Sequence, residues 1–279
     1  MFAGLLVLAL GALAGVGRLM WPAPASMVWV QPQPVASAPA AAQPSTQPAK
    51  LVVTPPPADL PVIDYVHVPG GFPADGQPSS TTPLTEGLHP TGQVAVYDAP
   101  GGEPRAFLPS QISGVEVTVP IVDRRSGWVA VLLPSVDRRV GWLPERAGWS
   151  ARQLTDQLIL RRTAHQLTWL RAGVLKGTWT VATGTAQTPT PLGRTFVLGR
   201  TTPEGQVYAG LDALVLGSVP EEREALAPGL RNGHTAIHSW YRASAFGHSV
   251  SNGCIRVPQP GQRTLLQEIA PGTPVTVID

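Results

Sequence analysis

Along most of the chain the apolar positions recur with period two, in short runs parted by turn residues. Val94 and Val96 alternate with Ala95 and Tyr97, and Asp98-Ala99-Pro100-Gly101-Gly102 then supplies a turn. Further β-rich runs lie at 115–122, 127–133 and 140–143, divided by Asp123-Arg124-Arg125-Ser126 and by Pro134-Ser135. Short strands at this spacing predict a small β-barrel over 86–150. After Ser150 the alternation resumes at 157–160, 166–170, 174–181, 196–199 and 235–237, and a last strand is predicted at 273–278. Helical periodicity is scarce. Residues 220–227, with Glu221 and Glu222 near the start, and 260–270, with Leu265, Leu266 and Ile269 on one face, read as short helices. The pattern predicts a mainly β protein with a boundary near Ser150 and a β-sandwich over 151–279.

Two stretches depart from the alternation. Residues 2–16 are apolar before Arg18 interrupts them, which predicts a signal peptide or membrane anchor over 1–21. A bilayer span wants about twenty apolar residues, whereas a signal core of this shorter length is ordinary. Ala23-Pro24-Ala25 offers small residues for cleavage, although no Lys or Arg precedes the run, against the usual orientation rule. Residues 22–85 are rich in Pro, Ala, Gln, Ser and Thr and predict a disordered linker. Where such a linker is polyproline II it extends by about 3 Å per residue. Only 60–68 carries a β-like island. Together these features imply export to the cell envelope, with the folded part secreted or anchored to the outer face of the cytoplasmic membrane.

Charge narrows the function classes. The net charge of +2 comes from scattered arginines without a basic stripe, so a nucleic-acid partner is not expected. The single cysteine, Cys254, permits no internal disulfide, and an unpaired thiol in an exported protein points to reactivity. It stands in Ser251-Asn252-Gly253-Cys254-Ile255-Arg256, downstream of the short apolar strand that ends at His238. A thiol nucleophile needs a partner that takes its proton, and His238 and Cys254 make such a catalytic pair. Gly253 allows the close backbone approach or positive φ that lets N–H groups point at an oxyanion. Arg256 can neutralise a carboxylate of substrate or of a structural acid. A zinc set of His234, His238, His248 and Cys254 is the rival reading. On a strand, however, His234 and His238 would lie about 13 Å apart at about 3.3 Å per residue, too far to share an ion, so no metal cofactor is expected. Trp128, Trp142 and Trp149 read either as a ligand surface or, more in keeping with small barrels, as a core.

A histidine after a short strand, an intervening loop, and then Ser-x-Gly-Cys-Ile-Arg resembles the signature of the L,D-transpeptidase (YkuD-like) catalytic domain. Ala182-Thr183-Gly184 followed by Thr188-Pro189-Thr190-Pro191-Leu192-Gly193-Arg194-Thr195-Phe196 resembles that family's upstream segment. The likeness covers roughly 151–279, and 86–150, with Trp128 and Gly141-Trp142-Leu143, is similar to the SH3-like module that precedes some such domains. The resemblance implies a β-sandwich catalytic domain after an SH3-like β-barrel. It implies an acyltransferase in which Cys254 attacks an L,D-amide of a peptidoglycan stem peptide, His238 moves the proton, and a thioester acyl-enzyme passes to an amine as a cross-link. It further implies that Ser239 orients His238 and that Ser251, Asn252, Arg256 and Tyr208 contact substrate, Tyr208 from a flap over the cleft. Asn252 stands where many members have histidine, and Ser239 where glycine is also common. Covalent inhibition by carbapenems is expected on the same ground. An L,D-carboxypeptidase using water as acceptor, or a non-catalytic wall-binding protein, are the alternatives.

Overall fold

The computed structural model describes residues 53–64, 69–134, 138–146, 148–219 and 222–279, so the apolar start and the cleavage-like Ala23-Pro24-Ala25 lie outside the described residues. The alternating pattern becomes strand almost throughout, with successive side chains on opposite faces. The first run of strands is β1 (Glu86–Pro90), β2 (Val94–Tyr97), β3 (Pro104–Leu108), β4 (Gln111–Ile112) and β5 (Val115–Glu116). It continues with β6 (Val119–Arg125), β7 (Trp128–Leu132), β8 (Val140–Pro144) and β9 (Trp149–Gln153). Apart from the small β4–β5 hairpin these form one antiparallel sheet in the order β3-β2-β8-β7-β6-β1-β9. Its core holds Leu88, Val96, Leu108, Val119, Val131 and Leu143. Trp128 and Trp142 are buried in the same core, and Trp149 packs against it.

The second run opens with β10 (Asp156–Arg161), β11 (Gln166–Arg171), β12 (Val174–Thr180), β13 (Thr183–Gly184) and β14 (Gly193–Thr201). It closes with β15 (Ala213–Leu216), β16 (Ala236–Ser239), β17 (Ser249–Ser251), β18 (Ile255–Val257), the helix α1 (Gln259–Glu268) and β19 (Pro274–Ile278). Eight of these strands pair in the order β12-β11-β10-β19-β14-β15-β16-β18, while β13 and β17 form a separate parallel pair. Leu158, Leu160, Leu214, Ile237, Ile255, Val257 and Leu265 make its core. The pleat of β14 serves both cores: Phe196 and Leu198 face the first, and Val197 between them faces the second.

Several expectations change. The predicted linker over 22–85 is tied to the first sheet at several points where it is described, although most of those residues stay exposed. Ile63 and Phe72 are buried in the first core, and Phe107 N–H donates to the Pro61 carbonyl at 2.9 Å while Ile63 N–H donates to Phe107. Val140 N–H donates to the Pro73 carbonyl at 2.9 Å, and Gln157 reaches the Thr81 carbonyl at 2.9 Å. Proline lacks a donor but keeps its carbonyl, so a Pro-rich strap can be held by donors that the sheet supplies. The strap also carries Asp75, whose carboxylate forms a two-point ion pair with Arg194 of β14 at 2.8 and 2.5 Å. Both side chains are about 95% buried, with exposures of 5% and 4%. Of the predicted helix at 220–227, residues 220 and 221 lie outside the described residues and the rest gives way to 3₁₀ turns at Arg223–Ala225 and Pro228–Leu230, since Pro228 and Gly229 follow too soon for a helix to propagate. The run at 115–122 breaks into β5 and the start of β6.

Candidate active site

The site is assembled on β16 and β18, which pair in parallel with Ile237 beside Ile255 and His238 beside Arg256. Ile237 and Ile255 point into the core, so His238 and Arg256 share the opposite face. Cys254 lies two residues before Arg256, which puts its side chain on the side of the sheet that carries His238. One strand spacing of about 4.8 Å and two residues of about 3.3 Å separate the two backbones by about 8 Å, across which a thiol and an imidazole can face each other. Nothing local to either strand makes this pair. It depends on the parallel register.

His238 is 6% exposed, and its Nδ1 lies 2.8 Å from the Ser239 carbonyl. A carbonyl only accepts, so Nδ1 carries the proton and Nε2 keeps its lone pair. Burial pushes the imidazole pKa down to about 4, against the Ser239 hydrogen bond and with help from the Arg256 cation. Burial pushes the Cys254 thiol up, opposed by a hydrogen bond with the Ala236 backbone and by Arg256. At neutral pH the pair therefore rests as thiol and neutral imidazole.

The loop before Cys254 is held from beneath. Ser251 is buried; its hydroxyl donates to the Cys254 carbonyl at 2.5 Å and accepts the Gly253 N–H at 3.2 Å. Gly253 has φ +104°, a region that a side chain would strain. The upstream Gly-Thr-Pro segment forms the floor. Thr190 Oγ1 donates to the Gly253 carbonyl at 2.9 Å and accepts the Gly184 N–H at 2.9 Å, and Thr188 Oγ1 donates to the Ser251 carbonyl at 3.3 Å. A Cβ on Gly184 would meet the Thr188 carbonyl oxygen at 2.1 Å and the Thr190 nitrogen at 2.6 Å. The sequence marks this segment as a motif without a task for Thr188 and Thr190; their even spacing is the signal, and their burial links them to the cysteine loop.

Above the pair sit Tyr208 and Trp240. The Tyr208 ring stands edge-on to His238 with centroids 5.0 Å apart, and its carbonyl accepts the Ser239 hydroxyl. Trp240, to which sequence reading assigned nothing, lies 6.0 Å from His238 and takes the Arg256 guanidinium on its face at 3.6 Å. Arg256 donates through Nη1 to the Val250 carbonyl at 3.2 Å, while its buried Nε has no partner. Burial lowers the guanidinium pKa, with Cys254, Tyr208 and Tyr241 opposing. Among the described residues no carboxylate pairs with Arg256. Asn252 is exposed at the tip of the loop.

The four possible zinc ligands do not converge. His234 is buried with Nδ1 at 2.6 Å from the Leu216 carbonyl, and His248 is exposed. Among the described residues no group of three or more His, Cys, Asp and Glu side chains could hold a metal ion.

No curated protein matches the chain. Solved structures similar to it include an L,D-transpeptidase from Mycobacterium smegmatis, at 15% identity over 58% of this chain and 82% of that one, TM-score 0.38. Another is L,D-transpeptidase 3 from Mycobacterium tuberculosis in complex with a faropenem-derived adduct, at 14% identity over 72% of this chain and 98% of that one, TM-score 0.39. A third is the catalytic domain of an L,D-transpeptidase from E. faecium, at 20% identity over 44% of this chain and 95% of that one, TM-score 0.32. Every residue of the site described above lies within residues 155–277, and that segment matches the YkuD family model, the L,D-transpeptidase catalytic domain.

Proposed function

We propose that the protein is a cysteine-dependent L,D-transpeptidase that cross-links peptidoglycan stem peptides outside the cytoplasm. The observation that carries this reading is the parallel pairing of β16 with β18, which sets His238, its Nδ1 tied to the Ser239 carbonyl, on the face of Cys254. In the first half-reaction the Cys254 sulfur attacks the carbonyl of an L,D-amide while Nε2 of His238 takes the thiol proton. The same nitrogen then gives that proton to the departing amine, leaving a thioester. In the second half-reaction an amine of a neighbouring stem attacks the thioester, His238 accepts its proton, and that proton returns to the thiolate as the new amide forms. Because burial keeps both partners uncharged at rest, proton transfer accompanies attack and does not precede it. Arg256, a cation beside the thiol with no carboxylate partner among the described residues, serves as receptor for a stem carboxylate. Gly253 and Ser251 shape the loop that presents the carbonyl to the thiol, and Asn252 and Tyr208 border the substrate. The residues 1–21 act as export signal or anchor, and the first sheet is an SH3-like module that precedes the catalytic domain.

The test is intact mass after incubation with a carbapenem, followed by a donor stem tetrapeptide with an amine acceptor. A single adduct on the wild type, none on Cys254→Ala, and a cross-linked product are expected. Product formation by Cys254→Ala would end the covalent mechanism.

A further inference from the structure

The segment from Thr201 to Asp212 arches over the site and is closed at its base by Thr202 Oγ1 donating to Asp212 at 2.8 Å. Its crown is the 3₁₀ turn Gln206–Tyr208. Gly205 and Gly210 flank that turn with φ +117° and +68°, and Ala209 is left-handed at +57°. These are backbone states that let a short flap reverse direction. The crown makes few internal ties, namely Tyr208 N–H to Gly205, Ala209 N–H to Gln206 and Leu211 N–H to Tyr208. None of its residues is buried. What fastens the crown to the sheet is Ser239. Its hydroxyl donates to the Tyr208 carbonyl, and Ser239 is itself fully buried at the end of β16. The carbonyl of the same residue fixes Nδ1 of His238 at 2.8 Å.

We propose that Ser239 is a positioning residue that couples the flap to the imidazole: one end of it sets the tautomer of His238 and the other pins the flap whose Tyr208 ring covers that imidazole. A flap lifted by entering substrate breaks the hydroxyl bond and uncovers the His238 ring; its return re-forms the bond and excludes water from the ring again. Glycine at this position would keep the carbonyl and lose the pin, so the hydroxyl adds flap control to a base that any residue's backbone could orient. The inference rests on the reading of His238 as the base of the transfer reaction.

The experiment compares Ser239→Ala with the wild type in the full chain, by hydrogen exchange of the amides over 205–211 and by the pH profile of donor stem tetrapeptide turnover. Loss of one neutral hydrogen bond should speed exchange there about three- to tenfold and raise KM by a similar factor, with a smaller fall in kcat. The acid limb of kcat/KM should move upward in pH, because an uncovered imidazole recovers part of its hydration. Ser239→Thr, which keeps the hydroxyl, should restore all three readings. Should the added methyl group not be tolerated at this buried position, Gly205→Ala supplies an independent perturbation. It strains the flap at its hinge with Ser239 intact, and should raise exchange and KM in the same direction. Unchanged exchange in Ser239→Ala with a lowered melting temperature would reduce the bond to a core contact and overturn the proposal. A loss confined to kcat with exchange unchanged would overturn it equally. If the wild type turns over no stem peptide at all, the functional reading fails, while the exchange data still decide whether the hydroxyl pins the flap.

Discussion

Replacing His238 by glutamine should remove a pH dependence from the stability of the folded protein. The imidazole has a pKa of about 4 in the folded chain against an ordinary 6.5, with burial as the main cause. The unfolded chain therefore binds more protons between these values, and stability rises with pH across that window. Below about 4 the whole of that difference is lost, which corresponds to about 3 kcal/mol, and at pH 4.5 most of it is already gone. At 6% exposure, solvent screening removes little of this. Urea unfolding at pH 7 and pH 4.5 of the wild type and His238→Gln gives the quantity as a difference of differences, in which other titrating groups cancel. The wild type should weaken by about 2–3 kcal/mol more than the variant on acidification. Equal weakening of the two would refute the argument that the imidazole is buried in its neutral form. The same placement predicts that the acid limb of acylation lies near pH 4, well below the range of a solvated histidine.

Three further outcomes follow from the geometry. Asp75→Asn should destabilise the fold by about 3–5 kcal/mol, because it leaves the Arg194 guanidinium buried without its partner, and Asp75→Asn combined with Arg194→Met should recover much of the loss in chemical denaturation. Gly184→Ala should unseat the floor beneath Gly253 and slow carbapenem labelling of Cys254 by at least about tenfold, since its Cβ would meet backbone atoms at 2.1 and 2.6 Å; labelling at the wild-type rate would contradict the clamp. Arg256→Gln should slow alkylation of Cys254 by iodoacetamide at neutral pH, because the cation that favours the thiolate is gone, and raising the pH should restore the rate.

The readable part of the site was the part written in residue types. A lone cysteine after glycine and a histidine closing an apolar strand can be found by inspection, and the alternation of Ile237 and Ile255 with polar neighbours implies which face each strand turns to the core. Pairing partners are another matter. Nothing in either strand specifies that β16 and β18 run parallel and in register, because that depends on the crossover connection through 240–253 and on the shared core. The Arg256–Trp240 stack was hidden for the same reason: the two residues are sixteen positions apart in sequence and become neighbours only through that register. The strap misleads differently. Composition treats 53–85 as unable to order itself, which is sound for an isolated segment, yet Ile63, Phe72 and Asp75 are bought into place by a sheet formed elsewhere in the chain.

The strand β14 carries a practical consequence for anyone who would cut this chain. Dividing it at the apparent boundary near Ser150 yields a fragment that retains Cys254, His238 and every residue of the floor. Such a fragment would also present Phe196 and Leu198 to water, together with an Arg194 deprived of Asp75. Contiguous apolar surface of that sort favours self-association. Preparations of the shorter piece should thus be judged first by their solution behaviour, and a loss of turnover in them should be assigned to the missing cover before it is assigned to chemistry. The half that holds Cys254 borrows a wall from the first sheet, so the strap, the first sheet and β14 stand or fall as one packed unit.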